Sequence, residues 1–152
     1  MSESHVVEVL VTRLDADAQL PIKAHPGDAG FDLCSVVDVH IPPLGRAVIP
    51  VGLSIALPPG YVGLVHPRSG LAKRYGLTLT NSPGTIDAGY RGPIEVLAIN
   101  HDPEQGVSIS KGERIAQLLI QSLPQVRWHE VKDLPDTHRG SGGFGSTGRA
   151  SI

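Results

Sequence analysis

Apolar runs rich in Val, Ile and Leu recur along the chain at 6–11, 36–41, 47–57, 61–66, 77–80, 94–99, 115–120 and 126–131, each closed off by Pro, Gly, Asn or Asp. Short β-branched runs between turn formers are the pattern of β-strands. In Val37-Asp38-Val39-His40-Ile41 every second side chain is apolar, so one face of the strand can be buried while the other meets water. Pro42-Pro43 and Pro58-Pro59-Gly60 stand where a ladder has to end, because proline brings no N–H to it. Phe31-Asp32-Leu33-Cys34-Ser35 reads as a further strand. Many short strands with turn signals between them predict an all-β sandwich or barrel. Neither a fixed-period repeat nor an internal linker interrupts the pattern. Its composition shifts only at 139–152, where glycine is frequent and apolar bulk scarce, which makes that tail an arm on a barrel spanning 1–138.

One stretch departs from the β pattern. Ser69-Gly70-Leu71-Ala72-Lys73-Arg74-Tyr75-Gly76 begins with a capping residue, carries two basic residues late and ends on glycine, the marks of a short helix. Unpaired N–H groups at a helix start can seat an anion, and Arg68 stands directly before it. Arg68, Ser69 and Gly70 are therefore a candidate phosphate site, although an ordinary capped turn with a surface arginine would read the same way.

The segment Asn81-Ser82-Pro83-Gly84-Thr85-Ile86-Asp87-Ala88-Gly89-Tyr90-Arg91-Gly92 lies between two apolar runs and reads as a hairpin with a carboxylate and an aromatic ring at its tip. Asp87 could orient a water and take its proton, or it could be turn chemistry. Tyr90 could wall a sugar or simply belong to a strand.

Charge and composition narrow the choices. With 13 Lys and Arg against 15 Asp and Glu, the formal net charge is −2, so no net positive field draws the surface to nucleic acid or anionic lipid. A content of 40% hydrophobic and 18% charged residues supports a single packed, soluble domain. The 18 Gly and 13 Pro show no collagen period and require many turns. The single cysteine, Cys34, forbids an intrachain disulfide and suits a cytoplasmic setting, and its place in a predicted strand makes it a small buried hydrophobe rather than a nucleophile. The first residues lack the basic and apolar regions of a signal peptide. The seven histidines have no ligand spacing, so His66 and the rest read as surface or satisfied core groups and not as zinc ligands. Asp28 and Asp32 flank Gly30 and read as turn and strand-edge acids, or as groups standing behind a hydrated Mg²⁺.

The tail holds the string G-x-G-x-x-G from Gly140 to Gly145. No strand feeds it and no helix of any length can follow, so a dinucleotide fold is excluded. A glycine strip with Arg139, Phe144, Ser146 and Thr147 has the composition of a lid whose amides and hydroxyls wrap phosphates while a ring stacks on a base.

Taken together, AHPGDAGFDL, PRSGLA, NSPGTIDAGYRG, RIAQLLI and RGSGGFGSTG resemble, in order, five motifs of the homotrimeric dUTPase (deoxyuridine 5'-triphosphate nucleotidohydrolase) family, and the resemblance runs from 24 to 148. It implies a jelly-roll-like, distorted β-barrel with one short helix and a flexible C-terminal arm. It implies Mg²⁺-assisted hydrolysis of dUTP to dUMP and pyrophosphate in a homotrimer whose sites each draw on all three chains. The same resemblance puts Arg68, Ser69, Gly70 and Gln117 on the phosphates. Asn81, Gly84, Thr85, Ile86 and Asp87 would form the uracil and deoxyribose slot, with Glu95 lending backbone only. Tyr90 would press on the sugar, and Asp87 would hold the attacking water. Arg139, Phe144, Gly145, Ser146 and Thr147 would close over a neighbouring chain's site. The metal would be held by substrate phosphates and water, with Asp28 and Asp32 at most behind those waters. Two other readings stand beside it: a dCTP deaminase or bifunctional deaminase and diphosphatase, which needs a Glu at the base site, and a barrel that binds without catalysis.

Overall fold

The computed structural model describes residues 6–146 and Gly148. Eleven strands and one helix follow one another as β1 (Leu10–Arg13), β2 (Phe31–Cys34), β3 (Val39–Ile41), β4 (Arg46–Pro50), β5 (Leu53–Ala56), β6 (Tyr61–His66), α1 (Ser69–Tyr75), β7 (Leu77–Leu79), β8 (Gly84–Ile86), β9 (Glu95–Asn100), β10 (Val107–Ile109) and β11 (Arg114–Ser122). Every pairing is antiparallel. A four-stranded sheet, β2-β11-β6-β8, and a three-stranded sheet, β4-β9-β7, form the main walls, with β1-β5 and β10-β3 as two-stranded flanks. This is the expected all-β, jelly-roll-like architecture.

Alternation along the strands builds the interior. In β9, Val96, Ala98 and Asn100 turn inward while Glu95 stays exposed. Leu33, Ile41, Ile49, Val51, Leu53, Val96 and Leu118 belong to one continuous buried cluster. Buried Asn100 is satisfied: its Nδ2 donates to the carbonyls of Ile41, Pro42 and Gln105, and its Oδ1 accepts from the Asp102 N–H.

Several expectations are corrected. The run 47–57 is two strands, because Gly52 takes φ +69° and turns the chain from one sheet to another; an added Cβ there would stand 2.9 Å from those of Asp15 and Ala18. The run 6–11 contributes only its last residues to β1, and 36–41 only its last three to β3. The run at 126–131 forms no strand: Val126 and Trp128 are exposed and find no ladder among the described residues. Residue Ser69 is not the helix cap. Arg68 occupies that position with extended backbone and no side-chain cap bond, while Gly76, at φ +66°, does end the helix as read. The flanks of 81–92 pair as β7 and β9, but the connection is not a plain hairpin, since β8 leaves it to join β6 in the other sheet.

Candidate active site

The detour of β8 creates a slot. Its ladder with β6, Val65 opposite Gly84 and Gly63 opposite Ile86, anchors 84–86 in one sheet while β7 and β9 stay in the other. Between them lies a cavity of about 230 Å³ lined by Asn81, Gly84, Thr85, Ile86, Asp87, Tyr90, Ile94 and Glu95, with Val65, Leu79 and Leu97 among its apolar walls. All the expected slot residues thus meet in one place. Backbone N–H and C=O groups that lie outside a ladder are suited to reading the edge of a flat polar ring.

The slot's rim is tied down. Tyr90 Oη donates to the Pro93 carbonyl at 2.9 Å and the Tyr90 N–H to the Asp87 carbonyl at 3.0 Å. Arg91 folds back so that Nη1 donates to the carbonyls of Ala88, 2.7 Å, and Tyr90, 2.9 Å. Among the described residues no donor engages the exposed Asp87 carboxylate, which leaves it able to accept from a water. Glu95 opens β9, is exposed, and is among the residues lining the same cavity.

A second cavity, about 660 Å³, is lined by Asp28, Gly30, Asp32, Arg68, Ser69, Gly70, Arg74, Arg114 and Gln117, together with flanking residues of the 24–32 turn and α1. Three arginines against two aspartates make it cationic. Asp32, only 13% exposed, lies between two guanidinium groups: Arg68 Nε is 3.5 Å from Oδ1 and Arg114 Nη1 is 3.3 Å from Oδ2. Arg68 Nη1 also donates to the Arg114 carbonyl at 3.1 Å. Gln117 Nε2 donates to the Pro67 carbonyl at 3.0 Å. Asp28 closes the preceding turn by accepting from the His25 N–H at 2.9 Å.

Sequence reasoning missed Arg114. Residues 114 and 117 are three apart, which on a regular strand puts them on opposite faces. A bulge between Arg114 and Ala116 in the ladder with β2 inserts one residue, so Ile115 and Ala116 are both buried and Arg114 comes to the same side as Gln117. Nothing in residue spacing announces a bulge.

None of the arm's described residues lines either cavity. Arg139 Nε donates within the arm to the Gly142 carbonyl, and Phe144 is fully exposed; Gly145 and Ser146 are exposed too. Thr147 lies outside the described residues. Cys34 is buried as expected, its thiol 3.6 Å from Gln19 Oε1, and burial, followed by the Asp32 charge, raises its pKa. His66 is half-buried, and its Nε2 is buried without a hydrogen-bond partner, so it is not the satisfied group expected. Among the described residues no cluster of His, Cys, Asp or Glu could hold a metal ion directly.

A polar slot sized for a planar base and a cationic cavity suited to oxyanions, both on a jelly-roll-like barrel, define a nucleotide-handling protein. Sequence comparison makes this specific: the dUTPase family model matches residues 16–148, and the chain belongs to that family. A deoxyuridine 5'-triphosphate nucleotidohydrolase of Streptomyces griseus is 54% identical over 142 residues, covering 93% of this chain and 81% of the relative. One from Corynebacterium glutamicum is 53% identical over 143 residues, covering 94% and 96%. The fold is similar to that of a Staphylococcus bacteriophage 80alpha dUTPase solved with dUpNHpp, at 31% identity and a TM-score of 0.85 over 93% of this chain and 99% of that one.

Proposed function

We propose that this protein hydrolyses dUTP to dUMP and pyrophosphate, with base and sugar in the 230 Å³ slot, phosphates in the arginine-lined cavity, and Asp87 holding the attacking water. The observation that carries this reading is the position of Asp87: on the slot's rim, next to the braced Tyr90, with a carboxylate no described donor occupies. A carboxylate placed there accepts from a water, orients it and takes its proton as the oxygen–phosphorus bond forms. Backbone groups of 84–87 select the base edge, and a thymine methyl or a cytosine amino group would meet a wall or an unmatched donor. Tyr90, held through its hydroxyl by Pro93, presents its ring where a 2'-hydroxyl would need room.

The phosphates have their donors in Arg68, Ser69, Gly70 and Gln117. The two carboxylates on that cavity fit an outer-sphere arrangement for Mg²⁺: Asp32 is already engaged by two arginines and no direct ligand cluster exists among the described residues, so the phosphates and water would hold the ion while Asp28 and Asp32 stand behind. When bound, Mg²⁺ would neutralise charge on the leaving pyrophosphate. A dUTPase from phage phi11 of S. aureus, 26% identical to this chain, coordinates a structural Mg(II) ion.

The same geometry supports the reading of a homotrimer with shared sites. The slot and the cationic cavity have no lining residue in common, and Arg139, Phe144, Gly145 and Ser146 touch neither. Copies placed so that one chain's slot faces another's arginines, with an arm from the next, would assemble a complete site. Exposed Val126, Trp128, Val131 and Leu134 are apolar surface that such an assembly would cover. No helix among the described residues is long and apolar enough to cross a membrane, and the lone buried thiol suits a cytoplasmic protein.

The test is a substrate panel of dUTP, dCTP and UTP with Mg²⁺, run on the native chain and on Asp87→Asn. Pyrophosphate from dUTP alone is expected, with kcat lowered about 10²- to 10⁴-fold in the variant and KM little changed, as for loss of a general base. Ammonia from dCTP, or near-normal turnover by the variant, would overturn the reading.

A further inference from the structure

The ring of Tyr90 can refuse a 2'-hydroxyl only if it cannot retreat, and what stands behind it is Gly92. A Cβ added at Gly92 would lie against Tyr90 Oη, 2.6 Å from Cζ and 2.9 Å from Cε2, so the hydroxyl end of the ring fills the space a side chain at 92 would take. Gly92 is not among the positive-φ positions, so its missing side chain serves this close approach and not an unusual backbone. We infer that Ser54, outside the slot, is a positioning residue that sets the preference for deoxyribose over ribose by fixing Gly92 behind the Tyr90 ring. The inference rests on the sugar lying against Tyr90 as proposed above, and adds what holds the ring in place.

The turn that carries Tyr90 is bonded largely to itself. Tyr90 Oη donates to the Pro93 carbonyl, the Tyr90 N–H to the Asp87 carbonyl, and Arg91 Nη1 to the carbonyls of Ala88 and Tyr90. Such bonds keep the turn's shape but let it tilt as a unit. The Ser54 hydroxyl, 2.9 Å from the Gly92 carbonyl, ties it to β5. Immediately after the turn the Ile94 N–H donates to the Leu53 carbonyl at 2.8 Å, so the chain is pinned to the same strand on leaving it. That strand is a firm support: Ser54 opposes Thr12 in the ladder with β1, and its neighbours Leu53 and Ile55 belong to the buried core. Ser54 is not among the residues lining the slot, so it acts on a nucleotide through Gly92 and the ring. A 2'-hydroxyl pressing on the ring pushes against β5 when the Ser54 bond is present, and against a hinged turn when it is not.

Ser54→Ala separates this role from general support, because the two predict different signs. A turn free to tilt admits the ribose, so UMP should bind more tightly while dUMP gains nothing; a slot that is merely less well built would weaken both. The measurement is calorimetric binding of dUMP and UMP to the full chain, which needs no turnover. The ratio of the UMP to the dUMP dissociation constant should fall about fivefold in Ser54→Ala, the factor that one neutral hydrogen bond supports. Ser54→Thr, which keeps the hydroxyl, should hold the native ratio. With the ring removed in Tyr90→Ala, adding Ser54→Ala should change the ratio by less than about twofold, since both residues act through one ring. In turnover, kcat/KM for dUTP over UTP should fall in the same order. An unchanged ratio in Ser54→Ala, equal losses for the two nucleotides, the same Ser54 effect without the ring, or a native chain that binds dUMP and UMP alike overturns the inference. Melting curves check the fold, and if Ser54→Ala does not fold, Ser54→Cys, close in size with a much weaker donor, decides it in the same way. Should the native chain fail to cleave dUTP, the function reading falls while the binding ratio still judges Ser54; should it cleave dUTP and Ser54→Ala keep the native ratio, this inference alone falls.

Discussion

Gly30→Ala puts a methyl group where the Gln117 side chain now lies. The added Cβ would stand 2.2 Å from Gln117 Oε1 and 3.0 Å from its Cβ and Cδ. Non-bonded carbons settle at about 3.5–4.0 Å, so the amide has to leave. Gly30 is not among the positive-φ positions, so the substitution acts through this close approach and not through backbone strain. Displacing Gln117 breaks the 3.0 Å bond from Nε2 to the Pro67 carbonyl, a neutral hydrogen bond contributing about 1 kcal/mol. It also withdraws the second N–H of the amide from the cationic cavity. If that N–H meets an ionised phosphate oxygen, the lost charge-assisted bond is worth about 1.5–3 kcal/mol, and kcat/KM for dUTP should fall about 10- to 150-fold. The assay is a double-mutant cycle of Gly30→Ala, Gln117→Ala and the pair. With Gln117 already cut back, the glycine substitution meets only the 3.0 Å contact to Cβ, and it should cost less than about threefold. Equal costs in both backgrounds would refute the reasoning and show that Gly30 acts without Gln117.

Deleting residues from Arg139 onward should leave a folded assembly with poor turnover, since the hydrogen bonds of the arm's described residues reach no further into the chain than Thr137; sedimentation should give a trimer in both cases, three times the 16.0 kDa chain mass when the arm is present, and a fully active monomer would contradict a shared site. The raised Cys34 pKa gives a pH signature. The unfolded thiol ionises near its usual value of about 8.5, whereas the folded one keeps its proton to higher pH, so its contribution to stability is whole below that value and fades as pH rises through the native one. Denaturation midpoints of the native chain and Cys34→Ala should therefore converge above that pH, and a constant gap would show that the thiol does not titrate with folding.

The apolar runs at 61–66, 77–80 and 94–99 became β6, β7 and β9 because their pattern is local: alternation decides which side chains meet the core, and proline or glycine decides where the ladder stops. Helix termination at Gly76 was legible for the same reason. What the sequence did not disclose depends on partners distant along the chain. The apolar run at 126–131, closed off by turn formers, reads like a strand but has no ladder among the described residues. β8 looked like the tip of a hairpin, and only its bonds to β6 reveal that it crosses between sheets. The residues that line the slot come mostly from one contiguous motif, and the family resemblance pointed to that motif. Arg114 was missed because its side of β11 is set by an insertion in the register, a property of the pairing with β2 and not of the residues themselves.

The two halves of the site are held by different means, and this predicts how each fails. The slot is shaped by backbone: β8 is locked into a ladder, Ile94 donates to the Leu53 carbonyl, and Ser54 Oγ donates to the Gly92 carbonyl, so its outline is fixed by bonds that most side-chain changes leave intact. Selectivity for the base should therefore survive many substitutions. The anion cavity is shaped by side chains on the ends of β2, β11 and α1, where Asp32, Arg68, Arg114 and Gln117 hold one another, so a change at one member propagates to the others. Variation in the cavity should thus weaken binding of every nucleoside triphosphate in proportion, whereas only changes at the slot should alter the preference among bases. In the proposed shared site the contrast is sharper, because a shift of one chain against another would move the cationic cavity relative to the slot without deforming either.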